Sequence, residues 1–360
     1  MKIALVSYDF GEYCVRLANG LSVGVNVLLL LPKTLAADYK AQLAPAVTLF
    51  TFDKPRLRQP RQQLQTINQL LAAIKQFQPD VVHMQHRHLW FNLALPLIRT
   101  PLVVTVHDAV NHVGDRNGSR TPEWMMQRSW RQASRLITHG EQVKQQVVSQ
   151  GVAAERVTVM PHIVMGERPS QSAERAFFDK LVLNVLFFGR IWPYKGLDIL
   201  IAAQPRITAA VPNSRIIIAG EGEDFYRYQQ MMVQPKQFEI HNRFVTDAER
   251  AELFRRADVV VLPYIEASQS GVIPVAYRAG KPVIATTVGS LPEVVEHGTT
   301  GLLVPPCDVN ALANAVIRLL KDEGERLQMG QNAQLKIERE AGEAAIATQT
   351  LAVYRQAIGE

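Results

Sequence analysis

The 360-residue chain is longer than one hydrophobic core ordinarily serves, so two domains of ordinary size are expected. Its 47% hydrophobic and 20% charged residues describe a globular protein and exclude a disordered one. The net charge of +6 is uneven: residues 1–165 hold 18 basic and 10 acidic side chains and the remainder 21 and 23, so the surplus lies in the first half. There it suits an anionic acceptor, a negatively charged membrane face, or simply a solvated basic surface.

Short apolar and β-branched runs predict strands over residues 2–6, 25–31, 47–52, 80–84, 102–107, 135–138 and 156–160. Between them, residues 62–77 place Leu64, Ile67, Leu70, Leu71 and Ile74 on one stripe, as an amphipathic helix requires. Val143, Val147 and Val148 do the same before Gly151. The pattern pauses over 161–181, where Pro, Gly, Ser and charges read as a linker. It restarts with strands at 182–188, 215–219, 238–241, 259–262, 283–286 and 302–304, and helices at 196–210, 224–233, 247–256 and 310–320. A last helix, about 342–358, carries Ile346, Leu351, Val353, Tyr354 and Ile358 and needs an apolar partner.

Unbroken apolar strands alternating with helices predict an α/β chain with two parallel sheets, each covered on both faces. The expected organisation is a first Rossmann-like domain over 1–165, a linker over 166–181 and a second such domain over 182–339. The segment 340–360 is expected to pack back on the first. Open parallel sheets bind ligands outside the carboxyl ends of their strands, so two of them facing across a cleft make strand-end residues the ones to inspect.

Two cysteines, Cys14 and Cys307, fall in opposite halves without a C-x-x-C pair, so neither structural zinc nor a disulfide framework is expected, and a reducing compartment fits. The N-terminus MKIALVSYDF reads as a strand and not as a signal peptide. The most apolar run, 21–31, is too short to span a bilayer and contains Asn26. A cytoplasmic location, in contact with a membrane only peripherally, is the expectation.

The strongest local signal is Phe188-Gly189-Arg190-Ile191-Trp192-Pro193-Tyr194-Lys195-Gly196, after an apolar strand and opening a helix. Gly189 lets the backbone turn, and Arg190 and Lys195 put two cations near a helix N-terminus, which suits a diphosphate. It is not a P-loop, because Lys195 is followed by Gly196 and not by Ser or Thr. A surface turn with two solvated cations is the alternative. A second loop, Tyr264-Ile265-Glu266-Ala267-Ser268-Gln269-Ser270-Gly271-Val272, leaves backbone amides open at the next helix start, and Glu266 can accept from sugar hydroxyls or merely be solvated.

Residues 188–196 and 262–306 together are similar to the donor-binding domain of family 4 retaining glycosyltransferases, which have the GT-B fold. The G-R-x-x-x-x-K-G motif matches as Gly189, Arg190, Lys195 and Gly196, and the likeness covers most of 180–325. The resemblance implies a nucleoside-diphosphate sugar held by Arg190 and Lys195, with Glu266 on the sugar hydroxyls and with Gly189, Ser270, Gly271 and Val272 around the donor. Gly220-Glu221-Gly222-Glu223 also matches a position near the donor, although any strand-to-helix turn can use such glycines. The family's second donor-binding Glu has no counterpart: its position falls on Val275 or Ala276, so ribose recognition must differ.

In the first half, Val103-Val104-Thr105-Val106-His107-Asp108 ends a strand with a histidine, where the family commonly has one facing the donor sugar. The resemblance therefore makes His107 a site residue, although a satisfied strand-end histidine is the plainer reading. His112 and His139 also follow apolar stretches and are assigned to the acceptor side, as is Gly11, at the family's glycine-rich turn. None of the three histidines forms an H-x-x-x-H pair, and the family generally needs no metal, so no metal and no cofactor beyond the nucleotide-sugar co-substrate are expected. Lys54, Arg56, Arg58 and Arg61 form a basic cluster offered to an anionic acceptor or lipid headgroups, or to solvent. The acceptor, whether glycan, lipid or small molecule, is not readable, and no nucleic-acid partner is indicated.

The resemblance implies metal-independent hexosyl transfer with retention. A nicotinamide-dependent dehydrogenase would need G-x-G-x-x-G after the first strand, where Ser7-Tyr8-Asp9-Phe10-Gly11-Glu12 stands. A catalytically idle nucleotide- or sugar-binding relative is the nearer alternative, given the missing second Glu.

Overall fold

In the computed structural model, which describes residues 1–85, 88–109, 123–166, 182–222 and 224–360, each apolar run expected to be a strand is one. β1 (Lys2–Val6), β2 (Asn26–Pro32), β3 (Val47–Phe52), β4 (Val81–Met84), β5 (Leu102–Val106), β6 (Arg135–Thr138) and β7 (Val157–Val159) form one sheet in the order β3-β2-β1-β4-β5-β6-β7. β8 (Leu183–Phe188), β9 (Ser214–Ala219), β10 (Phe238–His241), β11 (Val259–Leu262), β12 (Val283–Thr286) and β13 (Gly301–Val304) form a second, β10-β9-β8-β11-β12-β13. Every pairing in both sheets is parallel. The strand order reverses between β1 and β4 in the first sheet and between β8 and β11 in the second. Ligands of such sheets bind at that reversal, beyond the carboxyl ends.

The chain divides into two compact units. One contains the described residues up to Ile163 together with Glu340–Glu360; the other runs from Val164 to Arg339. Residues 161–166 carry no regular structure, and the rest of the expected linker, 167–181, lies outside the described residues.

In the first unit, Ile3, Ala4, Leu5 and Val6 are wholly buried, as a strand covered on both faces requires. The helix Pro60–Phe77 buries Ile67, Leu70 and Ile74, but Leu64, expected on the same stripe, is 53% exposed. The cause is polar. Gln63 donates to the Pro55 carbonyl at 2.8 Å and Thr66 to the Asp53 carbonyl at 3.2 Å. These bonds tie the inner face of the first turns to the loop after β3 and turn Leu64 outward. The final helix, Glu343–Ile358, finds its partner in the helix Gly11–Ser22. Their approach needs Gly20, since a Cβ there would stand 2.6 Å from the Glu343 carbonyl oxygen. Ile346, Val353 and Tyr354 are buried, Tyr354 with its hydroxyl 2.6 Å from His83 Nδ1 on β4, and the two aliphatic side chains are worth about 1.5–3 kcal/mol each by apolar area. Leu351 and Ile358 are only partly covered.

In the second unit, the helix Asp247–Arg256 begins with a reciprocal capping box: Thr246 Oγ1 accepts from the Glu249 amide, and the Glu249 carboxylate accepts from the Thr246 amide. A 19-residue helix, Glu323–Ala341, was not expected from the sequence. Its buried apolar side chains, Met329, Ala333, Ile337 and Ala341, are joined by the buried Arg326 and by Gly330, a stripe too polar and too small to raise an apolar period. It packs closely because Gly330 lies against the Gly280 carbonyl.

Candidate active site

Loops at the reversal of the second sheet bring together most of the residues singled out in its half of the chain. The loop after β8 carries Gly189, Arg190 and Lys195, and the loop after β11 carries Tyr264, Glu266, Ser270 and Gly271. Lys195 Nζ lies 3.7 Å from the centroid of the Tyr264 ring and 5.0 Å from that of Tyr194. Tyr264 is completely buried; its hydroxyl is 3.3 Å from Ser270 Oγ, and its carbonyl accepts from Thr286 Oγ1 at 2.6 Å. Burial pushes the Tyr264 hydroxyl up to about 12, partly offset by Ser270 and by the positive charge of Arg190. The ring is therefore a neutral, fixed platform beneath an ammonium, a cation–π arrangement. Arg190 is exposed, Lys195 half-buried, and Glu266 half-buried with its amide 3.4 Å from the Tyr194 carbonyl.

Backbone close approach explains the glycines. Gly196 has φ +65°, and a Cβ on it would sit 1.9 Å from the Pro263 carbonyl oxygen, which joins the two loops. Gly220 (φ +142°) similarly meets the Gly189 carbonyl at 2.0 Å, and Gly222 the Ile191 carbonyl at 2.2 Å. The Ile191 amide donates to Glu221 O at 2.8 Å, so the third loop supports the first through main chain. Gly189 itself has φ +120°, and its hypothetical Cβ would lie 3.8 Å from a Val272 methyl. The Val272 amide donates to Ser270 Oγ at 3.3 Å at the start of the short helix Val272–Arg278. Val275 and Ala276, on that helix, are buried and apolar, and no carboxylate stands there for a ribose.

In the first unit, His107 follows β5, His139 follows β6 and His162 lies three residues past β7. Val106 is in register with Thr138, and Thr138 with Val159, so adjacent strands deliver the imidazoles side by side. One ring nitrogen of each lies within 4.8 Å of those of the other two, and all three residues are buried. The Tyr13 ring centroid stands 5.3, 5.6 and 5.0 Å from the rings of His107, His139 and His162. Phe10 stacks on His107 at 4.0 Å, from a left-handed backbone position, φ 57° and ψ 46°. Burial, reinforced by His162, lowers His139 to about 3; burial also lowers His162, so both rings are neutral at pH 7.

Gly11 is the first residue of a helix and not part of a glycine-rich turn; a Cβ on it would stand 2.8 Å from the Tyr39 ring. His112 and Glu223 lie outside the described residues. His162, Phe10, Tyr13 and Tyr264 were not singled out by sequence reasoning. Of the basic cluster, Lys54 is bound to Asp9 Oδ1 at 2.7 Å and the Tyr8 carbonyl at 2.9 Å, whereas Arg56, Arg58 and Arg61 are exposed. Lys54 also lines a groove of about 610 Å³ with Lys33, Asp53, Gln62, Gln65 and Gln69. No helix among the described residues is long and apolar enough to cross a membrane.

Residues 11–167 match the family model described as Glycosyltransferase Family 4, and residues 183–322 that described as Glycosyl transferases group 1. A D-inositol 3-phosphate glycosyltransferase of Corynebacterium glutamicum is 31% identical over 304 residues, covering 76% of this chain and 72% of that protein. A glycogen synthase of Mycobacterium tuberculosis is 29% identical over 297 residues, 79% and 70% of the two chains. Among solved structures, Anabaena Alr3699/HepE in complex with UDP-glucose superposes with a TM-score of 0.76 at 20% identity, over 98% of this chain and 99% of that one.

Proposed function

Because the chain belongs to glycosyltransferase family 4 and has the GT-B fold, we propose that it is a retaining transferase moving a hexosyl group from a nucleoside-diphosphate sugar to a hydroxyl acceptor. The observation that carries the reading is Lys195 held over the Tyr264 ring, on the same loop as Arg190, at the reversal of the second sheet. Two cations there stabilise the charge that builds on the leaving diphosphate as the anomeric carbon–oxygen bond breaks, the kind of electrostatic term that usually dominates catalysis. In this reading they replace a metal at the diphosphate. The acceptor oxygen bonds to the anomeric carbon on the face the phosphate leaves, and its proton passes to the departing phosphate oxygen. Glu266 accepts from sugar hydroxyls, and His107 positions the transferred sugar.

The UDP-glucose bound by the Anabaena protein supports a nucleotide sugar as donor. The groove lined by Lys33, Lys54 and three glutamines, in which Lys33 is paired with Asp53 and Lys54 with Asp9, offers hydrogen bonds to an acceptor glycan or a lipid-linked sugar. Arg56, Arg58 and Arg61, next to it in the chain, suit an anionic acceptor or the headgroups of an anionic membrane. A second reading, a nucleotide-sugar binder without turnover, draws on the apolar Val275 and Ala276 where the family's ribose carboxylate would stand.

Incubation with UDP-, GDP- and ADP-hexoses, with and without candidate acceptors, separates the two. Release of nucleoside diphosphate above background, with proton NMR giving a product anomer that matches the donor, supports retaining transfer. Binding of a donor without release or transfer supports the idle reading, and an inverted product contradicts retention.

A further inference from the structure

We propose that His107, His139 and His162 form a binding site for one borderline transition-metal dication, of which Zn2+ is the type, in the first unit. The inference rests on the geometry of the cluster and not on the transferase reading.

His107 and His139 directly follow the adjacent parallel strands β5 and β6, and His162 lies three residues past the next strand, β7, so the sheet brings the three donors to its carboxyl edge. Zinc–imidazole bonds of about 2.0–2.1 Å put tetrahedral nitrogens roughly 3.4 Å apart. One ring nitrogen of each residue now lies within 4.8 Å of those of the other two, so binding must draw the rings closer by up to about 1.4 Å.

The hydrogen bonds set which nitrogen is offered. His107 Nε2 donates to Gln85 Oε1 at 3.3 Å, an amide whose own Nε2 donates to His83 Nε2 at 3.1 Å. His139 Nδ1 donates to the Met160 carbonyl at 3.2 Å, and His162 Nδ1 to the Ile163 carbonyl at 2.9 Å. His139 and His162 thus each spend the Nδ1 proton on a carbonyl oxygen and keep a lone pair on Nε2, the outer-shell arrangement that orients imidazole ligands on metals. His139 Nε2 is buried and makes no hydrogen bond among the described residues. A buried acceptor left in that state costs about 1–3 kcal/mol; a metal ion removes the cost.

Charge fits as well. The carboxylates of Glu12 and Asp108 act on His162 and His139 respectively, so an incoming dication meets negative charge. Glu12 is buried and paired with Arg16 at 3.0 Å, and Arg16 is paired in turn with Glu343 at 2.9 Å. Imidazole donors favour zinc, cobalt, nickel or copper over magnesium or calcium, and three protein donors leave a fourth position open. Because His107 belongs to both assignments, a bound ion competes with its contact to the sugar, and occupancy lowers transfer instead of driving it.

The test is titration of the chelator-treated, dialysed full chain with Co2+, followed by competition with Zn2+. The expected result is one Co2+ per chain with the intense visible absorption of a four-coordinate ion, displaced by Zn2+. His139→Ala should weaken binding at least about 100-fold, Gln85→Ala about 10-fold, and His297→Ala, an unrelated exposed histidine, should leave it unchanged. His162→Cys keeps a ligand and should add a thiolate-to-cobalt charge-transfer band, a signature that loss of folding cannot produce. Absence of four-coordinate Co2+ absorption in the wild type, or equal Co2+ affinity in the wild type and His139→Ala, would overturn the proposal.

Discussion

The ammonium of Lys195 lies 3.7 Å from the centre of the buried Tyr264 ring, so the loop after β11 fixes the cation supplied by the loop after β8. An unrestrained lysine would lose rotamer entropy on meeting a diphosphate, whereas this one has lost much of it in the folded protein. Lys195→Ala should lower kcat about 10²–10³-fold, as loss of one transition-state donor does. Tyr264→Leu removes the platform, about 0.5–2 kcal/mol, together with the Ser270 contact, and should cost roughly 2- to 30-fold. Tyr264→Phe keeps the ring, loses the Ser270 contact and should stay within about threefold of wild type. Steady-state kinetics on the three variants gives the order; equal loss in Tyr264→Phe and Tyr264→Leu would deny the platform role.

Gly196 and Gly298 both have positive φ, yet only Gly196 meets backbone, at 1.9 Å from the Pro263 carbonyl; nothing lies within 4 Å of a Cβ on Gly298. Gly298→Ala should therefore cost about 1–2 kcal/mol, the left-handed backbone term alone. Gly196→Ala should cost more, about 3 kcal/mol or above, because the two loops must part. Urea unfolding measures both, and a Gly196→Ala variant no less stable than Gly298→Ala would remove the close approach from the argument.

His83 is wholly buried, with Tyr354 Oη 2.6 Å from Nδ1, and Thr105 Oγ1 and Gln85 Nε2 at 2.8 and 3.1 Å from Nε2. None of these partners is charged, and burial lowers the imidazole to about 3. The folded state then excludes a proton that the unfolded chain binds below about 6.5, so the contribution is intact above pH 6.5 and is lost as pH falls from there towards 3. The slope is at most about 1.4 kcal/mol per pH unit for this residue. Denaturation curves between pH 7.5 and 5 should show His83→Gln less stable at the upper end but with a shallower decline. A slope unchanged by the substitution would contradict it.

The alternation of apolar strands and helices was legible because both sheets are covered on two faces, which leaves runs such as Val259-Val260-Val261-Leu262 without polar interruption. The helix Glu323–Ala341 was not legible, because small residues and Gly330 do its packing. In the site, the motif Gly189, Arg190, Lys195 and Gly196 was visible as a spacing, but the partner that holds Lys195, Tyr264, lies 69 positions away and is joined only through the adjacency of β8 and β11. His162 escaped for the same reason. Local ligand spacing detects donors from one helix; His107, His139 and His162 follow three different strands and meet only at the carboxyl edge of the sheet.

The central claim, a nucleoside diphosphate held by Arg190 and Lys195, is tested most directly by thermal unfolding of the wild type and Lys195→Ala with UDP, GDP, ADP, CMP or NAD. A ligand at 100 times its dissociation constant stabilises the folded chain by about 2.7 kcal/mol, enough to move the midpoint. The account predicts that at least one nucleoside diphosphate raises the wild-type midpoint and that Lys195→Ala, still folded, loses most of the rise. A midpoint moved by NAD alone, or by no nucleotide, or moved equally in the variant, would contradict it.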